Sequence, residues 1–545
     1  MCAHVKTIDA LLQITDRPLR RAVETISAIV LSALLFLIPF SEVTAAETTK
    51  IAKLKKELSQ MVKEEAFESS ELGIAVEWAR TGEPLFTLNQ KKRFIPASNM
   101  KLFTSAAALL SLSPDFTYET KVMTDAAVES GVLKGNLIIV ASGDPTISGY
   151  FNHNNPTEVF EAWADSLIRA GINQIEGDII VDNSYFNDSP FGMGWRIDDM
   201  DRCYSVPRDA FSFNNNCLAL TISPAGSSGA PATVEIEPMT RYMKILNAAV
   251  TADSRESFDV GVAYGADPYT IVVSGVVPVN HGNSVKYLSV KNPAEFGAFV
   301  FKESLTMKGV ALHGKIVCLQ GECSQIRDFG PLPTGVSASS LRTLAVYRSP
   351  KLSEILKVIN RISNNLYTEQ LFLTLARENQ RQGDSAQAMK TVRDILAKAG
   401  LDTRGLFMAD GSGLSRLNLI TPEQTVSLLR IMAANAYFNV FYDSLASPGQ
   451  EGTLKNWPHE ALSSPIRAKT GTMMHVRNLS GYVTTSDGEL IAFSFLCNNY
   501  DGDRTVVDGL YNRILQKLSS FSRRQNLHVS AFNARARTRH QVRPR

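Results

Sequence analysis

Three short groups of residues in this 545-residue chain carry the parts of an activated nucleophile. The first is Ser98-Asn-Met-Lys101. At positions i and i+3 of a helix, a hydroxyl and an amine share one face. A serine becomes nucleophilic only when a neighbouring base takes its proton, and a neutral lysine amine can do so. With a free pKa near 10.4, only on the order of one lysine in a few thousand is neutral at pH 7. Burial against Leu102, Phe103 and the Ala-rich stretch that follows, together with a second cation nearby, lowers that pKa. The start of the helix also turns backbone N–H groups toward the surroundings of Ser98, where an oxyanion would develop. An ordinary surface serine and lysine have the same spelling, so the group gains weight only from its company.

That company is Lys469-Thr-Gly-Thr472 and Ser363-Asn-Asn365. Ile466-Arg-Ala before Lys469 and the residues from Met473 to Val476 after it read as an edge strand. On it, Lys469 and Thr470 would face the nucleophile, and Gly471 would let a substrate backbone come close. Ser363 falls between two helical stretches. A hydroxyl there can relay a proton between an amine and a leaving group, and the Asn365 amide can hold a substrate amide. Ser212-Phe-Asn214 is spelled the same way but lies in a β-like region and reads as a turn or strand end. Chain order, Ser98 before Ser363 before Lys469, favours Ser363. The eight histidines form no His-Glu-x-x-His, and no P-loop is present, so no metal or cofactor is expected.

Periodicity gives the elements that must position these groups. Ile51, Leu54, Leu58 and Met61 predict a helix over 48–65. Two strands, 73–79 and 85–88, follow as a hairpin, and a helix opens after Pro96 and runs to Leu112. From about 117 to 340 the texture changes to short β-like segments among Gly, Pro, Asn and Asp. Helical spacing returns at 352–362, 369–379, 385–398 and 422–434. Strands at 466–469, 479–484 and 490–497 and a helix at 505–519 close the globular part. This is an α/β domain split by a large, mostly β insertion.

The ends differ from the middle. Arg17, Arg20 and Arg21 precede an apolar run from Ser27 to Phe40, with small residues around Ala45 and Ala46, which reads as an export signal cleaved there. The alternative, an uncleaved anchor, needs about 20 apolar residues, and this run is shorter. From Arg523 to Arg545 there are seven arginines and no acidic residue. The formal charge of +2 therefore hides a remainder of −5 and a basic tail that either touches an anionic envelope polymer or membrane surface or is simply solvated. No nucleic-acid partner is expected. With 44% hydrophobic and 20% charged residues, collagen-like, disordered and small disulfide-scaffold classes are excluded. A short loop can be closed by Cys318 and Cys323, Cys203 and Cys217 are candidates for a second pair, and Cys497 reads as an inert core thiol.

With all three groups in order, the chain resembles the class C low-molecular-mass penicillin-binding proteins, the D-alanyl-D-alanine carboxypeptidase/endopeptidase family. The resemblance extends to Ser349-Pro-Lys-Leu-Ser-Glu-Ile-Leu-Lys357, Ser363-Asn-Asn-Leu-Tyr-Thr-Glu-Gln370, Asp410-Gly-Ser-Gly-Leu-Ser-Arg416, Ser480-Gly-Tyr-Val483 and Ser142-Gly-Asp-Pro145. Asn364 stands where the pattern often has Asp. The resemblance implies a penicillin-recognising serine transpeptidase-like domain, an antiparallel sheet flanked by helices, split by two nested modules. The domains are expected at 47–118 plus 341–522, with an insertion at 119–340 whose inner module lies near 142–230, while the leader at 1–46 and the tail at 523–545 lie outside the resemblance. It further implies that Ser98 attacks the penultimate D-Ala carbonyl of a peptidoglycan stem peptide with Lys101 as base, and that Ser363 passes the proton on. Asn365 would hold the acyl-side amide, and Lys469, Thr470 and Thr472 would receive the terminal carboxylate. The N–H groups of Ser98 and Thr472 would form the oxyanion hole, and β-lactams would acylate Ser98. The expected place is the periplasm or cell envelope. A β-lactamase and a non-catalytic wall-binding protein are the competing readings.

Overall fold

The computed structural model describes residues 48–64, 67–321 and 341–523. The expected leader, Cys323 and residues 524–545 lie outside the described residues.

Strands from both ends of the chain meet in one antiparallel sheet: β1 (Glu71–Trp78), β2 (Pro84–Leu88), β3 (Ile466–Met473), β4 (Val476–Thr484) and β5 (Leu490–Asn498), in the order β3-β4-β5-β1-β2. The group around Lys469 thus lies on an edge strand, as its sequence suggests. Alternation along β5 divides the interior in two. Ile491, Phe493, Phe495 and Cys497 enter one apolar cluster, with Leu54 and Leu58 of helix α1 (48–61) and Leu510, Ile514 and Leu518 near the chain's end. Ala492 and Leu496 enter the other, with Met100, Phe103, Leu429 and Met432.

Helix α2 (Met100–Leu112) is the central rod, buried along Met100–Leu109. It begins from a single 3-10 turn, Ala97–Asn99, so Ser98 sits on the entry turn, one turn ahead of the regular helix. Helix α3 (Leu352–Lys357) widens into a π-wound turn, Val358–Ile362, that delivers Ser363. Then follow α4 (Asn365–Gln380), α5 (Ser385–Lys398), α6 (Pro422–Ala433), α7 (Phe438–Ser444) and α8 (Arg504–Ser520). Asn364 is the N-cap of α4, its side chain accepting from the Tyr367 N–H at 3.0 Å. Asn and Asp cap equally well, which accounts for the departure from the family pattern at this position.

The intervening residues build further sheets. The outer one has five strands, in the order Ile316–Cys318, Ile179–Asp182, Leu137–Val140, Glu119–Thr124 and Arg342–Arg348. Two three-stranded sheets are nested within it, all drawn from residues between Cys217 and Ser289. The inner module is expected near 142–230, and these two sheets span residues 217–289. Two helices also stand inside this β-like stretch, Glu158–Arg169 and Pro293–Met307.

Cys203 and Cys217 form a disulfide, Cys318 is disulfide-bonded, and Cys497 is a free buried thiol whose pKa burial pushes up to about 12. Arg523, expected to begin the tail, instead lies over the Trp78 ring at 4.6 Å and pairs with Glu83 at 2.8 Å. Among the described residues no helix is long and apolar enough to cross a membrane.

Candidate active site

Two unusual backbone conformations set the site. Ala97, immediately before Ser98, has φ +45°, and Ser363 has φ +67°. Non-glycine residues in this region cost on the order of 1–3 kcal/mol and persist only where packing enforces them. At Ala97 the enforcing neighbour is Gly413, where a Cβ would stand 1.8 Å from the Ala97 carbonyl oxygen. At Ser363 it is the π-wound turn, which ends there and hands the chain to α4.

Lys101 is fully buried, and its Nζ lies within hydrogen-bond distance of three oxygens: Asn365 Oδ1 at 2.6 Å, Ser412 O at 2.7 Å and Ser98 Oγ at 3.1 Å. Burial drives its pKa down to about 7, partly opposed by the negative charges of Asp410 and Glu369. A neutral amine has two N–H bonds and one lone pair. With Asn365 and Ser412 taking the two hydrogens at the shorter distances, the lone pair is left for the Ser98 hydroxyl. The structure thus brings Ser98 and Lys101 together, the amine's pKa being about 7.

Lys469 is buried as completely and donates to Ser363 Oγ at 2.8 Å and to Thr470 O at 3.0 Å. Burial, Lys101 and Arg477 together push its pKa well below the usual lysine value. Ser98, Ser363, Asn365 and Thr472 line one cleft of about 440 Å³, joined by Tyr204, Arg196, Asp199 and Arg416.

Two expectations shift. Gly471 is required by packing, since a Cβ there would lie 2.6 Å from the Pro96 carbonyl oxygen, in the turn that carries Ser98. The reason is thus the fit of strand to turn, and the space beside this residue is already filled. Thr470 does not line the cleft with Ser98 but an adjoining one, which Thr472, on the same face of β3, lines as well. Ser212, the discarded alternative, accepts from Gln370 Nε2 at 2.7 Å and braces α4.

Several residues of the site were not singled out by chemistry in the sequence. Glu369 is fully buried, accepts from Ser412 N at 2.7 Å and pairs with Arg208 at 3.2 Å. Burial and the Asp410 charge raise its pKa to about 7, against the pull of Arg208. Asp410 receives N–H groups from Gly413 at 2.8 Å, Ser415 at 2.6 Å and the Trp195 indole at 2.9 Å, which folds the loop whose Ser412 carbonyl holds Lys101. Asn365 Nδ2 donates to Tyr204 O at 2.7 Å, and the Cys203–Cys217 disulfide stands beside that tyrosine. The inserted region thus builds one wall of the site. Among the described residues, no group of three His, Cys, Asp or Glu side chains is placed to hold a metal.

Residues 54–509 match the model of the D-Ala-D-Ala carboxypeptidase 3 (S13) family. The chain belongs to this family. It is 30% identical over 469 residues to a D-alanyl-D-alanine carboxypeptidase of Actinomadura sp. (strain R39), covering 84% of this chain and 83% of that one. It is 27% identical to the D-alanyl-D-alanine carboxypeptidase DacB of Haemophilus influenzae, over 79% of this chain and 86% of that one. The crystal structure of penicillin binding protein 4 from H. influenzae superposes with a TM-score of 0.69 at 25% identity, covering 84% of this chain and 99% of that chain. That protein has also been solved complexed with a β-lactam. The fold is thus that of a low-molecular-mass penicillin-binding protein, and the family is one of serine hydrolases.

Proposed function

We propose that the chain is a serine-type D-Ala-D-Ala carboxypeptidase that also cleaves peptidoglycan cross-links, through an acyl-serine intermediate that β-lactams trap. The observation that carries this reading is the contact of Lys101 Nζ with Ser98 Oγ at 3.1 Å in a buried site that lowers the Lys101 pKa to about 7. Ser98 attacks the carbonyl of the penultimate D-Ala, and its proton passes to Lys101. Lys101 passes that proton on through the Ser363 hydroxyl to the departing amine, with Ser363 Oγ held by Lys469 at 2.8 Å. Asn365 orients Lys101 through Oδ1, and its Nδ2 has a second hydrogen for the acyl-side carbonyl. Thr472, at the junction of the catalytic cleft with the adjoining one that Thr470 lines, receives the terminal carboxylate. The N–H groups of Ser98 and Thr472 hold the oxyanion, one such donor being worth about 3 kcal/mol. Water then hydrolyses the ester, regenerating Ser98.

The same reading places the enzyme in the cell envelope, exported by residues 1–46. It divides the chain into a catalytic unit, 47–118 plus the part after the insertion, and an inserted region that begins near 119. Pairing of Arg342–Arg348 with Glu119–Thr124 favours ending the insertion after that strand rather than at 340.

Incubation with labelled penicillin, followed by peptide mapping, tests the assignment. The expected result is an adduct on the peptide containing Ser98 that lasts minutes or longer, together with release of D-Ala from a D-Ala-D-Ala pentapeptide. Loss of the adduct within seconds would make the enzyme a β-lactamase. Undiminished D-Ala release by Ser98→Ala would remove Ser98 from the mechanism.

A further inference from the structure

A second cleft of about 560 Å³ adjoins the catalytic one and shares Thr472 with it. Thr470, Arg477, Lys455, Trp457 and Arg504 line it too. Its size falls within the range of about 300–1,000 Å³ that encloses drug-sized ligands, far more than the single small residue released by a carboxypeptidase requires. The charge is lopsided. Three cations face one carboxylate, Asp508, which is already held by Arg477 Nε at 2.6 Å and Nη2 at 3.0 Å.

Arg477 links the two clefts. It is buried, lies 5.9 Å from the Trp457 ring centre, and donates from Nη1 to Thr472 Oγ1 at 2.5 Å. The two residues are directly paired across the β3–β4 hairpin. With one lone pair of the Thr472 oxygen engaged by the guanidinium, the hydroxyl proton must point elsewhere, toward whatever acceptor enters the site. A threonine so held is an oriented donor with a fixed positive charge behind it, a fitting partner for a carboxylate.

We propose that this cleft is the leaving-group subsite for cross-linked peptides. It takes the carboxylate-bearing peptide whose amine forms the scissile amide, with Arg477 as the positioning residue that aims Thr472 at the carboxylate next to that bond. The proposal rests on the acyl-serine reading above and names the substrate half that the second cleft serves. In the step it assists, the Ser98 Oγ–carbon bond forms as the carbon–nitrogen bond breaks. The amine departs with the proton that Lys101 took from Ser98, relayed through Ser363, and one water is consumed when the ester is hydrolysed. Lys455 and Arg504, both exposed at the rim, meet the charges of the rest of the departing peptide.

The test compares two substrates on the full-length enzyme: a soluble pentapeptide ending in D-Ala-D-Ala, and a purified cross-linked peptide dimer. The double variant Lys455→Ala/Arg504→Ala should raise KM for the dimer about fivefold to tenfold, the yield of two partly exposed charge contacts. It should leave kcat/KM for the pentapeptide and the rate of labelled-penicillin acylation within about twofold. Arg477→Ala should raise KM for both substrates, which share the carboxylate at the scissile amide, and Arg477→Lys should recover only part of the loss, because an ammonium cannot grip Asp508 and Thr472 at once. Equal losses on the two substrates or no loss on the dimer in the Lys455→Ala/Arg504→Ala variant, or a wild type that releases D-Ala but leaves the dimer intact, would each overturn the subsite. A wild type that neither releases D-Ala nor retains penicillin would instead overturn the reading of the catalytic cleft, and the subsite would fall with it.

Discussion

Lys101 and Lys469 are the same side chain, both fully excluded from water, and they keep opposite electrostatic company. Beneath Lys101 lie two carboxylates, Glu369 and Asp410, whose charges restore part of what burial takes away and leave its pKa at about 7. Around Lys469 lie cations, Lys101 and Arg477, which add to burial and push it further down. Burial alone would make both amines weak bases with no preference between them. The carboxylates tune one to exchange a proton near neutral pH, where an acid–base catalyst is most effective. The other is tied to a hydroxyl, Ser363, at 2.8 Å. The two lysines thus differ by the charges packed against them, and the comparison can be tested residue by residue.

The largest effect should come from the Ser98 and Lys101 pair. Ser98→Ala and Lys101→Met should each lower kcat/KM for a D-Ala-D-Ala pentapeptide by about 10⁴-fold or more, and the double variant should be little worse than either, because groups that act as one unit are not additive. Steady-state assays of the three proteins check this. Additive losses would mean that Lys101 serves the reaction apart from Ser98. Lys469→Ala should cost about 10²–10³-fold, the usual price of removing one preorganised electrostatic partner. A loss as large as that of Lys101→Met would erase the distinction between the two lysines.

The parts of this arrangement that could be read from the chain are those written in neighbouring residues. Ser98 and Lys101 are three apart, Lys469 to Thr472 are consecutive, and the edge strand and the helices of the catalytic unit follow from local periodicity. The tuning is written elsewhere. Arg208 meets Glu369 across 161 residues, and the Trp195 indole meets Asp410 across 215. No spacing rule reaches that far, and a buried glutamate within a helix looks like any surface glutamate until the insertion folds over it. The loops at 183–216 likewise bring Arg208 and Tyr204 to the site from far along the chain. The Arg477 contact to Thr472 is short in sequence, but a strand residue says nothing by itself about which side chain it holds across the hairpin.

Glu369→Gln gives the smallest effect on rate and the finest test of the comparison. Ionised Glu369 favours the ammonium form of Lys101, so its removal should lower the Lys101 pKa and move the rising limb of the acylation rate with labelled penicillin to lower pH. Stability should respond with a definite sign. Burial raises the Glu369 pKa from 4.5 to about 7 in the folded protein, so folding favours the protonated acid. That contribution is complete below the unfolded value and is lost as pH rises through the folded one. Between about pH 4.5 and 7 the wild type should therefore lose stability relative to Glu369→Gln, as read by urea unfolding of both proteins at pH 5 and pH 8. If the gap instead widens in favour of the wild type as pH rises, Arg208 outweighs burial and holds Glu369 ionised. Lys101 would then rest on a permanent negative charge, with a pKa above 7, and its contrast with Lys469 would be sharper than the burial of the two amines implies.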